Sequence, residues 1–210
     1  EGDVAVLAIP SIFPTSYPKL QIPQISKESS WHMRDKGISL PTEMTPLYAQ
    51  LLGHIVADGY TGSATKHLML MSDIGIDSDM GNVIPEIFKS LFGAYPTFTV
   101  DKRREGFSKR KGKKVKLVNY RLGCVPAFDQ AVLNGLSNTT SEFKCIPEII
   151  WRSPKDCQAS FLRGFFEQDG SIYKHGKSYY IETCSKSSEL MKGIRIMLLN
   201  FGIMSTSRVR

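Results

Sequence analysis

The apolar positions of the chain recur at helical spacing from residue 46 onward. Leu47, Leu51 and Ile55 lie on one face of a predicted helix that begins after Pro46. The same reasoning predicts helices at residues 79–92, 127–136 and 188–201, a short helix after Pro147 and an apolar helix from about residue 155. Strand and turn patterns at residues 60–73, 95–100, 115–122, 171–174 and 178–184 separate these helices.

The first 46 residues follow a different pattern, because they hold six of the eleven prolines. Proline removes a backbone donor and is excluded from helix interiors. We therefore expect an extended arm over residues 1–46, with one short strand at residues 4–9.

Two stretches that lie 111 residues apart end in the same unusual way, LLGHIVADG at residues 51–59 and LRGFFEQDG at residues 162–170. Each is an apolar run that contains a glycine and closes in Asp-Gly. Glycine just past a helix end is the ordinary stop. An aspartate beside it is unfavourable, because the last carbonyls form the negative end of the helix dipole. The matched endings indicate two carboxylates, Asp58 and Asp169, that are held where a cation offsets them.

The elements that follow the two stretches recur in the same order. Strands, an amphipathic helix and a stopping glycine run from Asp58 to Gly93 in 35 residues and from Asp169 to Gly202 in 33. This order indicates an internal duplication. We expect an arm at residues 1–46, a first half at residues 47–153 and a truncated second half at residues 154–210.

Positive charge is concentrated in one block, since residues 102–121 hold ten Lys/Arg and one acidic residue while the whole chain has a net charge of +7. Predicted strands flank the block, so it is expected at the tip of a hairpin, and a basic two-stranded ribbon fits a DNA major groove. The alternative is a solvated loop or a targeting signal. The candidate DNA-binding residues are Arg103, Arg104, Lys109, Arg110, Lys111, Lys113, Lys114, Lys116 and Arg121, with Lys174 and Lys177 on a second hairpin.

Other classes of protein are disfavoured. No apolar run reaches the roughly 18 residues of a membrane span, and the N-terminus lacks the pattern of a signal peptide. The four cysteines have no zinc-ligand spacing, so we expect reduced thiols in an intracellular protein, either cytoplasmic or associated with the nucleoid or nucleus.

Packing of the two Asp-Gly helices side by side explains the glycines inside them. Gly53 and Gly164 would let the helix backbones approach closely. Parallel packing would bring Asp58, Asp169 and several helix-end carbonyls together as hard oxygen ligands, for which Mg²⁺ is the natural counter-ion. Such a metal can activate water and stabilise a leaving oxygen at a phosphodiester. The alternative is that each Asp-Gly is only a turn after a core helix.

These stretches resemble the paired motifs of the LAGLIDADG homing endonucleases, in the single-chain form associated with inteins. Lys144, in KCIP at residues 144–147 and 25 residues before Asp169, is similar to an active-site lysine of intein-borne members. Residues 1–6, EGDVAV, are also similar to a stretch that follows intein splicing blocks. Splicing itself is not assigned, because position 1 is Glu1 and neither Thr-x-x-His nor a terminal His-Asn is present.

The resemblance implies an α/β (α+β) fold of two αββαββα halves, whose antiparallel sheets bind DNA and whose motif helices form the seam. It implies site-specific, Mg²⁺-dependent cleavage of double-stranded DNA. Asp58 and Asp169 would hold the metal with the carbonyls of Ala57 and Gln168, and Lys144 would serve one cleavage centre. No membrane partner is expected.

Two departures from the family pattern leave an alternative open. Val56 and Glu167 differ at the first acidic position of the motif, and His54 is interpreted as a hydrogen-bonded helix residue rather than a ligand. The equivalent of Lys144 in the second half would lie beyond Arg210, so a further segment or a second polypeptide would complete that half. The alternative is a DNA- or RNA-binding regulator or splicing cofactor that has lost cleavage, although both aspartates are retained.

Overall fold

The computed structural model describes residues 13–62, 67–72, 79–100, 106–108, 113–115, 118–137 and 139–208. The strand expected at residues 4–9 lies outside the described residues. So do six candidate DNA-binding residues, which are Arg103, Arg104, Lys109, Arg110, Lys111 and Lys116.

From residue 46 onward the described helices follow the predicted order, and one further helix precedes them. They are α1 (Lys27–Asp35), α2 (Pro46–Asp58), α3 (Asp79–Phe92), α4 (Val125–Leu133), α5 (Glu148–Trp151), α6 (Lys155–Asp169) and α7 (Ser188–Asn200), with a 3₁₀ turn at Ser141–Phe143. Gly93 and Gly202 have φ of 76° and 77°. Both predicted stopping glycines therefore take the left-handed conformation that lets a helix end.

The strands are antiparallel, in agreement with the expected fold. They are β1 (Gly59–Gly62), β2 (His67–Ser72), β3 (Thr97–Val100), β4 (Gly106–Ser108), β5 (Lys113–Val115), β6 (Val118–Leu122), β7 (Ser171–His175) and β8 (Ser178–Glu182). One sheet has the order β1-β2-β6-β3, and β4-β5 and β7-β8 form two-stranded sheets. The mixed α/β class and the recurrence of helix, two strands and helix after each motif are confirmed.

Antiparallel strands occupy the described parts of the basic block and its flank, which are residues 97–100, 106–108, 113–115 and 118–122. β3 pairs with β6 in a register that joins Thr97 to Arg121 and Val100 to Val118. Within the block, β4 and β5 form a two-stranded ribbon and pair from Gly106 and Val115 to Ser108 and Lys113. Among the described candidates of this block, Lys113 and Lys114 lie on the β4–β5 ribbon and Arg121 lies on β6.

The expectation of an extended N-terminal arm is wrong for α1. Ser26 caps this helix by accepting a hydrogen bond from Ser29 N at 3.1 Å. The prolines constrain only their own neighbourhoods, and none lies between Pro23 and Pro41. The residues around α1 fold back on themselves, since Leu20 N donates to Thr42 O at 2.9 Å.

The core is built around α2, which is buried on nearly every side. Nine of its thirteen residues are buried, and this explains why its sequence is apolar all round rather than along one stripe. Large side chains from three helices complete the core, namely Tyr48, Phe88, Phe92, Phe161 and Phe165. Each buried aromatic side chain of this size removes roughly 150–250 Å² from water, so α2 and α6 are held mainly by hydrophobic burial.

All four cysteines are free thiols, as expected, and two of them are buried. Burial and the nearby Asp156 carboxylate raise the pKa of Cys157 to about 12, so that thiol stays protonated. In the described part of the chain, no helix is long and apolar enough to cross a membrane.

Candidate active site at the seam of the motif helices

The two motif helices contact each other through their backbones. A Cβ atom added at Gly53 would lie 2.2 Å from Phe161 O, and one added at Gly164 would lie 2.1 Å from Gln50 O. Backbone atoms inside two packed helices cannot move aside as a flexible side chain can. Glycine is therefore required at both positions, and the prediction that Gly53 and Gly164 permit close approach is confirmed.

The Asp-Gly endings connect each helix directly to a strand. Gly59 and Gly170 cap α2 and α6 with φ of −79° and −77°, which is extended and not left-handed backbone. Both helices end at Asp-Gly as predicted, but neither glycine takes the left-handed conformation that is common just past a helix end. Glycine is needed for space, because an added Cβ would lie 2.4 Å from Ile55 Cα at Gly59 and 2.3 Å from Phe166 O at Gly170.

Lys144 reaches the C-terminal end of α2, close enough to Asp58 and Asp169 to feel both carboxylates. Its Nζ donates to Ala57 O at 2.9 Å and lies 3.5 Å from Gly59 O. Burial lowers the pKa of Lys144, while the carboxylates of Asp169 and Asp58 act in the opposite direction without cancelling the decrease. The structure thus brings together the three residues for which the sequence predicted a catalytic role.

The hard oxygen atoms at the helix ends have the donor chemistry that Mg²⁺ takes, namely carboxylates and carbonyls. Asp58, Asp169, Ala57 and Gln168 are the predicted ligands, and the carbonyl of Ala57 receives the Lys144 ammonium. Among the described residues, no group of three or more His, Cys, Asp or Glu side chains could hold a metal ion. The predicted set contains only two such side chains, so any coordination there depends on carbonyls, water or phosphate.

Ser187, which the sequence analysis did not single out, fixes the backbone of Lys144. Its fully buried side chain donates from Oγ to Lys144 O at 2.5 Å and accepts from Leu190 N at 3.1 Å. The second bond caps α7. Ser187 directly precedes the helix predicted at residues 188–201, and this position indicates a helix cap. Its contact with Lys144 spans 43 residues and has no sequence signature.

A polar cluster lies within the otherwise apolar seam. Gln50 Nε2 donates to Glu167 Oε2 at 3.0 Å, and Arg163 Nε donates to Glu167 Oε1 at 2.8 Å. The fully buried His54 places Nε2 at 3.4 Å from Glu167 Oε2. Burial alone would raise the pKa of Glu167, but His54, Arg163 and Gln50 outweigh it and lower the pKa to about 2. Glu167 is therefore ionised near neutral pH.

Three of the basic candidates, Arg121, Lys174 and Lys177, lie on exposed surfaces of the sheets. Arg121 is exposed on β6 and alternates with the buried Tyr120 and Leu122, so it lies on the outer face of the four-stranded sheet. Lys174 and Lys177 are exposed on the β7–β8 hairpin. The Tyr173 and Tyr180 rings stack there, with centroids 5.5 Å apart. Lys113 and Lys114 belong to β5 on the basic ribbon.

A protein-family model matches most of the second half of the chain. Residues 156–210 match the LAGLIDADG-like domain. This range contains most of α6, the β7–β8 hairpin and α7. The resemblance of the motif at residues 162–170 to this family is confirmed.

The chain is also similar to segments of larger proteins. It is 24% identical over 164 residues to a DNA polymerase of Thermococcus sp. (strain GE8), which covers 74% of this chain and 8% of the polymerase. It is 26% identical over 172 residues to a glutamine–fructose-6-phosphate aminotransferase of Methanocaldococcus jannaschii, covering 80% of this chain and 14% of that protein.

A third relative matches more closely over a shorter range. A probable translation initiation factor IF-2 of Methanocaldococcus jannaschii is 40% identical over 60 residues, which is 29% of this chain and 5% of the factor. The chain thus spans only a small fraction of the length of each of these relatives.

Proposed function

Residues 156–210 belong to the LAGLIDADG family, and on this premise we propose that the chain is a homing endonuclease. It would make a site-specific, Mg²⁺-dependent double-strand break in DNA by phosphodiester hydrolysis. The observation that carries the proposal is the hydrogen bond from Lys144 Nζ to Ala57 O, which holds a cation beside the carboxylates of both motifs.

Lys144 would act at the scissile phosphate. A fixed ammonium group stabilises negative charge as it develops on the phosphate oxygens and requires little reorganisation. The carbonyl of Ala57 orients this group, and Ser187 holds the backbone behind it. Asp58 and Asp169, with the carbonyls of Ala57 and Gln168, would hold Mg²⁺, which supplies activation of water and neutralisation of the leaving oxygen.

Binding of double-stranded DNA would use the exposed sheet surfaces. Arg121, Lys174 and Lys177 are exposed, and Lys113 and Lys114 extend the same charge along the ribbon. Lysine and arginine on such surfaces contribute binding energy by releasing counterions from phosphates. The contacts would position the duplex, while individual base contacts would specify the target.

The relatives support an intein as the setting of this nuclease. By name they are a polymerase, an aminotransferase and a translation factor, which share no activity. A segment that matches a small part of each is the pattern expected when the same mobile element has entered unrelated host proteins. We therefore place this chain in the endonuclease part of an intein and assign no splicing residues to it.

The second half would be completed by a further segment or a second polypeptide. In the first half, β2 pairs with β6 in addition to β1. In the described part of the second half, β8 pairs with β7 alone. The side chains of Ile172 and Ile181 remain 70% and 68% exposed, which is costly for a hairpin of this composition.

A randomised plasmid library tests the proposal even though the target sequence is not known. The parent chain with Mg²⁺ should cut a small set of related sequences, which sequencing of the new DNA ends would identify. Asp58→Asn should bind those sequences with unchanged affinity and leave them uncut, and Glu148→Gln on an exposed surface is the matched control. Cleavage by Asp58→Asn at the parent rate would show that the assignment is wrong. Specific binding without cleavage by the parent would instead support the alternative of a binding protein.

A further inference from the structure

The seam between α2 and α6 has a local twofold arrangement. The Cβ position of Gly53 lies against Phe161 O and Phe165 N, and that of Gly164 lies against Gln50 O and His54 N. At the 111-residue offset between the motifs, Gln50 and His54 therefore occupy on α2 the places that Phe161 and Phe165 occupy on α6. The same offset makes Val56 the equivalent of Glu167.

This equivalence divides the seam into two chemically different parts. In one part, Glu167 of α6 accepts a hydrogen bond from Gln50 and lies 3.4 Å from Nε2 of the buried His54. In the other part, the local twofold places Val56 of α2 opposite Phe161 and Phe165, and all three side chains are buried. The polar side chains of Gln50 and His54 on α2 thus face the polar Glu167 on α6, and the apolar Val56 on α2 faces the apolar Phe161 and Phe165 on α6. This match exists only because the two helices carry different residues at equivalent positions.

Pairing of two like helices would mismatch these positions. Two copies of α6 would place the Glu167 carboxylate of each against the phenyl rings of the other. The Gln50 donor and the nearby His54 ring would be missing, and Arg163 of the same helix would be the remaining partner. Two copies of α2 would place Gln50 and His54 against Val56, without an acceptor. Polar groups that are buried without partners cost free energy, most of all a charged one.

We propose that Gln50, His54 and Glu167 make the seam selective for a pair of unlike motif helices, and so disfavour association of two copies of this chain through like helices. Single polar residues in helix interfaces act in this way when they fix partner choice at some cost in stability. The kind of partner that α6 accepts is therefore a motif helix that carries a hydrogen-bond donor at the position of Gln50 and a polar side chain at the position of His54.

The variant Gln50→Phe/His54→Phe/Glu167→Val tests the proposal, because it gives each helix the residues that the other carries at the equivalent positions. Sedimentation equilibrium over a wide range of concentrations should show self-association at least about tenfold tighter than that of the parent, which sets the baseline. Glu148→Ala/Arg152→Ala removes an exposed ion pair outside the seam and should leave association unchanged. Equal association of the parent and a folded seam variant would overturn the proposal.

A double-mutant cycle gives a second measurement, which also serves if the triple variant does not fold. His54→Phe and Glu167→Val should each destabilise the chain in urea unfolding, and the double variant should be destabilised by less than the sum of the two single effects. Strict additivity would overturn the proposal, since the two side chains would then not recognise each other. Neither measurement uses DNA, so a failure here is distinguishable from a failure of the proposed nuclease activity.

Discussion

Gly164→Ala is the substitution whose effect follows most directly from the packing of the seam. The new Cβ would lie 2.1 Å from Gln50 O and 3.1 Å from His54 N. A carbon and a carbonyl oxygen normally approach to no closer than about 3 Å, so α2 and α6 must separate by about 1 Å. Overpacking of a core costs about 1–3 kcal/mol, and a contact between backbones belongs at the upper end of that range.

Helix propensity opposes this cost. Alanine is favoured over glycine in a helix interior by about 1 kcal/mol, so we expect a net decrease of about 2 kcal/mol in the free energy of unfolding. The separation would also move the helix ends that carry Asp58 and Asp169. Misplacement of catalytic groups by about 1 Å can reduce an enzymatic rate by about a hundredfold. We therefore expect the folded variant to cleave DNA much more slowly than the parent.

Urea unfolding followed by circular dichroism measures the stability change, with Gly123→Ala as the matched control. Gly123 has no heavy atom within 4 Å of an added Cβ and no positive φ, so its substitution should be nearly neutral. If Gly164→Ala unfolds at the same urea concentration as Gly123→Ala, the helices are not in backbone contact and the reasoning about the seam is wrong.

The other predictions concern the surroundings of Lys144 and the charges at the seam and on the ribbon. Ser187→Ala should cost about 1 kcal/mol of stability through removal of a helix cap and should also slow cleavage, and Ser187→Thr should recover both in urea unfolding and nicking assays. Glu167→Gln should have a lower free energy of unfolding than the parent above pH 4.5. The pKa of Glu167 is lowered from 4.5 to about 2 in the folded protein, so this difference should disappear as the pH falls towards 2. Acid unfolding of the two proteins measures it. Replacement of Lys113, Lys114 and Arg121 by neutral residues should reduce the slope of log K for DNA binding against log salt concentration. The reduction should be up to ~0.9 for each phosphate that is no longer neutralised. An unchanged slope would show that these three residues do not contact DNA phosphates.

Local sequence signals predicted most helices and strands, but they did not always give the physical reason why a residue is needed at its position. The helical spacing of Leu47, Leu51 and Ile55 identified α2, and Gly93 and Gly202 ended α3 and α7 as predicted. The helix α1 was missed because the neighbouring prolines dominate the composition of the first 46 residues. Gly59 and Gly170 follow the ends of α2 and α6 as predicted, but the sequence did not show that they are needed for space.

Contacts between distant residues account for what the sequence could not show. Gln50 and Glu167 are 117 residues apart, and Ser187 and Lys144 are 43 apart. Periodicity gives the face on which a residue lies, but it does not give the residue that it meets on another element. The duplication was sufficient to predict that Gly53 and Gly164 meet. It could not predict the polar cluster, which arises where the two copies differ.

Nicking of a supercoiled plasmid by the parent chain and by Lys144→Met tests the central claim most directly. Methionine keeps an unbranched side chain of similar size and removes the ammonium that donates to Ala57 O. On a plasmid that carries the selected target, with Mg²⁺ present, the parent should convert supercoiled DNA into nicked and linear forms, and Lys144→Met should bind the same DNA and leave it intact. Cleavage by Lys144→Met at the parent rate would contradict the account, because the cation at the end of α2 would then have no part in the reaction.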